Sequence, residues 1–140
     1  MLRFGCIVLT IWGAIQFLVS LLSLAVSVTG KYAPMMKIVF TDEQIDSYDI
    51  KILTLTKSLA IMHNTGATVQ GVFILFLTWF GIHQEQKWAL WILLLVGILM
   101  QTMWFVSDAF VGNKTLIVNI VLTTLFVIGI TISGLGLYKA

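Results

Sequence analysis

Long hydrophobic segments alternate with short polar segments along this chain. The hydrophobic segments cover residues 4–28, 53–82, 88–106 and 116–138. Each is close to or above the ~20 residues that cross the ~30 Å hydrocarbon core of a bilayer as a helix. Because backbone polar groups find no partner in lipid, a spanning segment is expected to be helical. The pattern predicts an all-α polytopic membrane protein, an antiparallel four-transmembrane-helix bundle that forms one domain over residues 1–140.

The longest polar connection, residues 29–51, carries its own pattern. Thr41 and Gln44 fit the N-cap and third positions of a capping box, which favours a helix start. Apolar positions then recur at three- and four-residue spacing, at Ile45, Tyr48, Ile52 and Leu55. The spacing predicts a short amphipathic helix over about residues 41–51 that lies on the membrane surface and leads into the second span. The alternative is a solvated connecting helix.

Composition narrows the class of protein further. Hydrophobic residues make up 59% of the 140 residues and charged residues 10%, whereas a soluble domain carries about 25% charged residues. The net charge of +2 is dispersed, with no two Lys or Arg residues adjacent, so nucleic acid is not expected as a partner. Cys6 is the single cysteine. One thiol cannot form an internal disulfide or a CxxC redox pair, and we interpret it as a packing residue.

An even number of spans places both termini on one side of the membrane, together with the connection at residues 83–87. Three Lys or Arg residues lie on this side and five on the other, so the count alone places the termini outside the cytoplasm. Arg3 directly precedes the first span and favours the opposite orientation. On that basis we predict cytoplasmic termini. An aromatic belt is expected on the same side, at Trp79, Trp88, Trp91 and Tyr138.

Polar side chains inside the predicted spans are the main functional signal. Small and hydroxyl residues such as Gly13 and Ser20 are typical of close helix contacts in membranes. Larger polar groups from all four spans fall at comparable depths in the half of the bundle next to residues 29–51, and ionisable groups inside a membrane suggest function. We therefore predict a pocket that is lined by Gln16, Ser23, Lys57, His63, Asn64, Gln70, Gln101, Trp104, Asp108 and Asn119.

Packing alone is the alternative interpretation of these polar residues. Lys57 and Asp108 can neutralise each other near the membrane surface, or Lys57 can extend to water. A single His63 on a polar helix face is typical of a hydrogen-bonded packing residue. Under either interpretation the same side chains are expected to face inward, namely Ser20, Ser23, His63, Asn64, Gln101 and Asn119.

Catalytic signatures are absent from the sequence, which contains no GxSxG elbow, HExxH motif or Walker loop. Proton transfer by His63 with Asn64 or Asp108 is chemically feasible, but no motif argues for an enzyme. Met62, Met100 and Met103 fall near the level of His63 and form a soft ligand set of the kind that suits Cu(I). Methionines at such spacing on an apolar helix usually serve packing, so we predict no metal site and no cofactor.

The overall layout resembles that of small bacterial DoxX-like membrane proteins. The shared features are the chain length, the four spans, the polar first connection and the turn Gln86-Lys87-Trp88-Ala89 before the third span. The resemblance implies the bacterial inner membrane, and some members of that group are accessory subunits of redox assemblies. It carries over no functional residues.

Two functions from different classes follow from the sequence. The first is a binding protein that holds a small amphipathic or lipid-like molecule in the polar-lined intramembrane pocket. The second is a structural or accessory subunit that packs, through its small and polar helix faces, against another membrane protein or another copy of itself. A membrane-embedded enzyme is a third option.

Overall fold

The computed structural model describes residues 1–110, 112 and 115–139, and this part of the chain contains helices and turns but no strand. The α-helices, numbered in chain order, are α1 (Leu2–Thr29), α2 (Pro34–Val39), α3 (Asp42–Asp46), α4 (Ile50–Phe76), α5 (Lys87–Phe110) and α6 (Leu116–Tyr138). A π-helical turn, Leu77–Gly81, and a 3-10 turn, Ile82–Gln84, continue α4 towards α5.

Among the described residues, four helices are long and apolar enough to cross a membrane. They are α1, α4 with its continuation to Gln84, α5 and α6. The absence of strands from the same residues confirms the predicted all-helical class. The second span begins at Ile50 and the third ends at Phe110, so both are longer than their hydrophobic segments. The turn predicted over residues 107–115 is correspondingly shorter, because residues 107–110 belong to α5. Gly112 and Asn113 form a pair typical of turns, and Asn113 lies outside the described residues.

The predicted capping box is present in the connection between α1 and α4, where it starts α3. The Thr41 hydroxyl accepts a hydrogen bond from the Gln44 backbone N–H at 3.3 Å, and the Gln44 side-chain oxygen accepts one from the Thr41 N–H at 3.0 Å. Ile45, the first apolar residue of the predicted stripe, is fully buried. Tyr48, Ile52 and Leu55 are exposed.

The prediction of a single helix over residues 41–51 is nevertheless wrong. The α3 helix ends at Asp46, and the Ser47 hydroxyl donates to the Gln44 carbonyl at 2.6 Å, which satisfies an acceptor at the helix end. Asp49 then accepts the Lys51 backbone N–H at 2.7 Å and starts α4. The short helix α2, with Pro34 in its first turn, is an additional element that the periodicity did not predict.

Contacts divide the chain into two compact units, and each is described by itself. The terminal unit comprises residues 1–15 and 72–140, and the central unit comprises residues 16–71. The core of the central unit is formed by Tyr32, Ala33, Met36, Ile45 and Leu53. The core of the terminal unit is larger and contains Cys6, Leu9, Trp12, Ile74, Leu77, Ile82, Ala89, Leu90, Leu93, Met100, Leu122, Phe126 and Leu137.

Close contact between α5 and α6 in the terminal unit depends on Gly97. A Cβ atom at this position would lie 2.2 Å from the ring of Phe126, so the ring occupies the space that a side chain would need. Trp12 packs on the same ring, with 4.8 Å between the ring centroids. The pairs in contact along the two helices are Trp91–Tyr138, Gly97–Phe126 and Gln101–Thr123. Residue numbers on α6 fall as those on α5 rise, so these two helices run in opposite directions.

The π-helical turn ends where the chain reverses towards α5. A Cβ atom at Gly81 would lie 2.2 Å from the Cβ of Ala89, so the backbone there touches the first turn of α5. Thr78 is buried and its hydroxyl donates to the Ile74 carbonyl at 2.8 Å. Glu85 takes a left-handed conformation with φ of 62° and completes the reversal.

Candidate functional site

The residues predicted to line a pocket belong to both units. Gln101, Trp104, Asp108 and Asn119 lie on α5 and α6 in the terminal unit. Gln16, Ser23, Lys57, His63, Asn64 and Gln70 lie on α1 and α4 in the central unit. Each group forms contacts of its own.

Asp108 is the ionisable side chain of the terminal group, and 1% of its surface is exposed. Its Oδ1 atom accepts hydrogen bonds from the backbone N–H of Thr115, at 3.2 Å, and from the Thr115 hydroxyl. Its Oδ2 atom accepts one from the side-chain amide of Asn119. Since α6 begins directly after Thr115, the carboxylate also lies at the positive end of that helix. The geometry therefore assigns Asp108 a structural role in joining the end of α5 to the start of α6.

Thr123 extends this network along α6 to the amide of Gln101. Its hydroxyl oxygen lies 2.7 Å from the Asn119 backbone carbonyl and 2.8 Å from Gln101 Oε1. A hydroxyl has one proton, so it cannot donate fully to both acceptors. Gln101 is 6% exposed, and its Nε2 atom has no hydrogen-bond partner among the described residues. One end of a buried amide is therefore left without a partner, which is unfavourable unless another group supplies one.

A cavity of about 280 Å³ opens on the outer side of the α5–α6 pair. We call it the α5–α6 groove, and its lining residues are Phe105, Ile120, Thr123, Thr124, Val127 and Ile128. The volume is near the lower end of the range for small-molecule sites. Thr123 belongs both to the wall of the groove and to the network that contains Gln101. The groove thus combines apolar walls with one hydroxyl that is backed by a buried amide.

The central group contains two polar contacts between α1 and α4. The ammonium of Lys57 donates to the backbone carbonyl of Gly30 at 2.8 Å, just beyond the end of α1, where a positive charge is favourable. The Asn64 side-chain amide donates to the Ser27 hydroxyl at 3.1 Å, and that hydroxyl donates to the Ser23 carbonyl at 2.8 Å. Lys57 and Asn64 therefore link α1 and α4. The partner of Lys57 is the Gly30 carbonyl, whereas the sequence suggested Asp108 or water.

The inward orientation that the sequence predicts is found for most but not all of these residues. Ser20, Gln101 and Asn119 are buried, and Ser23 and Asn64 are partly buried. The prediction is wrong for His63, which is exposed.

Two predicted lining residues of the central unit differ sharply in exposure. Gln16 is 2% exposed, and its Nε2 atom has no hydrogen-bond partner within the described residues. Gln70 is exposed.

A second pocket, of about 430 Å³, is a shallow open depression on one face of the first turns of α4, at Ile50, Lys51, Thr54, Leu55 and Ser58. His63 lines neither this pocket nor the α5–α6 groove. The described residues contain no group of three or more His, Cys, Asp or Glu side chains that could hold a metal ion.

The groove residues themselves were not among those predicted from the sequence. Thr124 donates to the Ile120 carbonyl within its own helix at 2.8 Å, so its hydroxyl is internally satisfied. Thr123 carries the available signal, since it follows Asn119 by one helical turn and continues the polar side of α6. The apolar walls carry no signal, because every span exposes similar residues.

No family model matches the chain, and it matches no curated protein and no solved structure. The resemblance to DoxX-like proteins therefore stays an expectation drawn from layout.

Proposed function

We propose that the chain is a multi-pass membrane protein that binds a small amphipathic or lipid-like molecule in the α5–α6 groove. The predicted pocket around His63 is thereby replaced by a site in the terminal unit, where a cavity and a polar network meet. Gln101 and Asn119 belong to both versions of the site.

The membrane setting is supported by what the long helices expose. Large apolar side chains stand on the surface of all four, for example Leu22, Leu55, Leu95 and Ile117, at 66%, 60%, 61% and 79% exposure. A surface of this kind suits lipid and would be a liability in water.

An exposed aromatic cluster supports the predicted aromatic belt on the side of the membrane that carries the termini. Trp91 donates its indole N–H to the Tyr138 hydroxyl at 3.1 Å, and the Lys87 ammonium lies 4.8 Å from the centroid of the Tyr138 ring. Trp79 and Trp88 are exposed as well, at 44% and 52%.

An antiparallel four-helix bundle accounts for the order of contacts within each unit. In the terminal unit, α1 meets α6 through the pairs Leu2–Gly136, Gly5–Ser133 and Leu9–Gly129. In the central unit, α1 meets α4 through Phe17–Gly71, Ser27–Asn64 and Gly30–Lys57. Residue numbers fall on one helix as they rise on the other in every case.

The observation that carries the binding proposal is the position of Thr123. Its hydroxyl lines a groove in which the other hydroxyl, that of Thr124, donates within its own helix, and it lies 2.8 Å from a buried amide that has one unpaired end. A ligand hydroxyl placed at Thr123 can donate to the Thr123 oxygen, which would give this network an additional partner. An apolar chain on the same molecule would cover Phe105, Ile120 and Val127, which line the groove. The chemistry selected is therefore one hydrogen-bonding group attached to an apolar body.

Native mass spectrometry of protein released from membranes tests the proposal. The wild type is expected to carry a discrete adduct in the mass range of a small amphipathic molecule. Thr123→Val removes the hydroxyl with little change of shape, and the adduct should fall by roughly tenfold at limiting ligand. Thr102→Val is the matched control, because Thr102 is exposed on α5, donates only to the Ile98 carbonyl among the described residues and does not line the groove.

Two results would overturn the binding proposal. One is a wild type that carries nothing but the bulk phospholipids of its membrane. The other is an adduct that both threonine variants retain, or lose, to the same extent. Ile128→Trp, which fills the groove without touching the polar network, should displace the adduct and gives an independent readout.

An accessory subunit is the second function that a specific observation favours. Gln70 exposes an amide on α4, the least apolar of the four spans, with a hydropathy of 1.5 against 2.1 to 2.4 for the others. An exposed amide in a membrane favours contact with another protein. Chemical cross-linking in native membranes distinguishes this function, because an accessory subunit yields a defined adduct with another protein whether or not the groove is occupied.

A further inference from the structure

One face of α4 in the central unit is uncovered. Leu59, Met62 and Val69 are 55%, 69% and 63% exposed, and a Cβ atom at Gly66 would meet nothing within 4 Å. These four residues follow one another at intervals of three, four and three, so they form one stripe along the helix. The stripe ends beside Gln70.

Gln70 differs from the other amide side chains in the middle of the spans. Gln16, Gln101 and Asn119 are 2%, 6% and 1% exposed, whereas Gln70 is exposed. Its side chain makes no hydrogen bond to the residues that the structure describes. An amide that faces hydrocarbon without a partner is unfavourable, so its position on the surface of a span needs a partner outside the chain.

We propose that this stripe, together with Gln70 at its end, is the interface between two copies of the chain. An amide carries both a donor and an acceptor, so two Gln70 side chains related by a twofold axis can form a reciprocal pair of hydrogen bonds. Gly66, one turn earlier, allows the two α4 backbones to approach closely. Each Gln70 amide then finds its partner in the Gln70 of the other copy. A twofold interface brings the same residues of both copies together, so this pairing is compatible with it.

The absence of charge on this face favours a second copy over a partner of another kind. Residues 58–73 contain no Asp, Glu, Lys or Arg. No charged partner is therefore selected by Asp, Glu, Lys or Arg on this face, and its exposed directional side chains include the Gln70 amide and the His63 imidazole. The amide carries a donor and an acceptor, as a neutral imidazole does, so either group is complementary to the same group of a second copy. The interface lies on α4 and leaves the α5–α6 groove untouched, so it stands or falls independently of the proposed ligand.

Energy transfer between donor-labelled and acceptor-labelled full-length chains in phosphatidylcholine vesicles tests the interface. The wild type should show transfer that rises with the protein-to-lipid ratio and is competed away by unlabelled chain. Gln70→Leu should weaken association by on the order of tenfold. Gly66→Leu should weaken it at least as much, because a leucine prevents close approach between helices. Open space around Gly66 means that this variant cannot fail by clashing within its own chain.

Thr102→Leu is the matched control, since it removes an exposed polar group from a different span and should leave the transfer unchanged. The proposal is overturned if the wild type stays monomeric at every protein-to-lipid ratio. It is equally overturned if the wild type associates and both α4 variants associate with the same strength. A monomer that is captured by a different membrane protein would contradict the second copy and reassign the stripe.

Disulfide cross-linking provides a second measurement with a geometric readout. Val69→Cys should form dimers on mild oxidation, whereas Val121→Cys, which is exposed on α6 at 53%, should not. The native Cys6 is 1% exposed and does not compete. Equal cross-linking at both positions would indicate random collision and would contradict the interface.

Discussion

Polar side chains are buried and hydrogen-bonded on the α5–α6 pair, whereas on the exposed face of α4 they are uncovered. On α5 and α6, Asp108, Asn119 and Gln101 are buried and joined through Thr115 and Thr123. On α4, Gln70 is exposed beside an open Gly66. The α4 span is the least apolar of the three helices, with a hydropathy of 1.5 against 2.1 for α5 and 2.4 for α6, but hydropathy does not tell which polar side chains are covered.

The comparison teaches that a polar group in an apolar helix has to be interpreted through its partners. Where two helices of the same chain supply donors and acceptors, the group stabilises the fold and tolerates burial. Where no partner from the same chain reaches it, the group is available to another molecule. In the first region, Gln101 Nε2 and Ser133 Oγ are the buried side-chain atoms without a hydrogen-bond partner among the described residues. In the second region the whole Gln70 side chain is left over.

Removing the carboxylate of Asp108 should have the largest effect on stability. Asp108→Leu leaves the Thr115 N–H, the Thr115 hydroxyl and the Asn119 amide without their acceptor. We expect a loss of about 3 kcal/mol in the free energy of unfolding. Asp49→Ala is the matched control, since Asp49 caps α4 from an exposed position and should cost about 1 kcal/mol. Denaturant titration in detergent micelles measures both, and equal losses would contradict the structural role of Asp108.

The second-largest difference in stability is expected when a side chain is added at Gly97 in the first region and at Gly66 in the second. Gly97→Leu forces the Phe126 ring from its place and should cost about 1–3 kcal/mol in unfolding free energy. Phe126→Leu in the same chain should restore part of that loss. Gly66→Leu meets open space and should leave the stability of the monomer unchanged or raise it by up to about 1 kcal/mol. The same denaturant titration, performed at a dilution where the chains are monomeric, shows which of the two variants loses more unfolding free energy. A Gly66 variant as unstable as the Gly97 variant would break the comparison.

The smallest effect is expected for the Asn64–Ser27 contact in the central unit. The bond is 3.1 Å long and links α4 to α1. A double-mutant cycle with Asn64→Leu and Ser27→Ala should give a coupling of about 0.6 kcal/mol, the typical size for a hydrogen bond between membrane helices. Zero coupling would mean that this contact is not made in the membrane.

Much of the fold was predictable, because a long apolar segment in a membrane has few options. The four long helices follow from the requirement that the backbone satisfy its own polar groups. The break after Asp46 was not predictable from apolar spacing, since it depends on Ser47 and Asp49 competing for backbone groups. The late end of α5 at Phe110 was missed for a related reason. The polar residues Ser107 and Asp108 suggest a turn, yet Asp108 is buried against α6.

The candidate site was predictable only in part. Gln101 and Asn119 were identified correctly as inward-facing because each lies on the polar side of its own helix. His63 was misplaced because it follows the exposed Met62 and precedes the partly buried Asn64, at the edge of the contact with α1. A helical wheel gives the angle between such neighbours, but the packing of other helices decides which of them is covered. Thr123 gained its importance from the groove, whose shape no sequence pattern describes.

Photo-cross-linking from two positions on α6 that are one turn apart tests the central claim most directly. A photoreactive residue at Ile120 lies in the wall of the α5–α6 groove, whereas the same residue at Ile117, which is 79% exposed, lies outside it. After irradiation in native membranes, the account predicts one discrete adduct from position 120 and only a mixture of bulk phospholipids from position 117. Identical adduct patterns from the two positions would contradict a specific ligand in the groove.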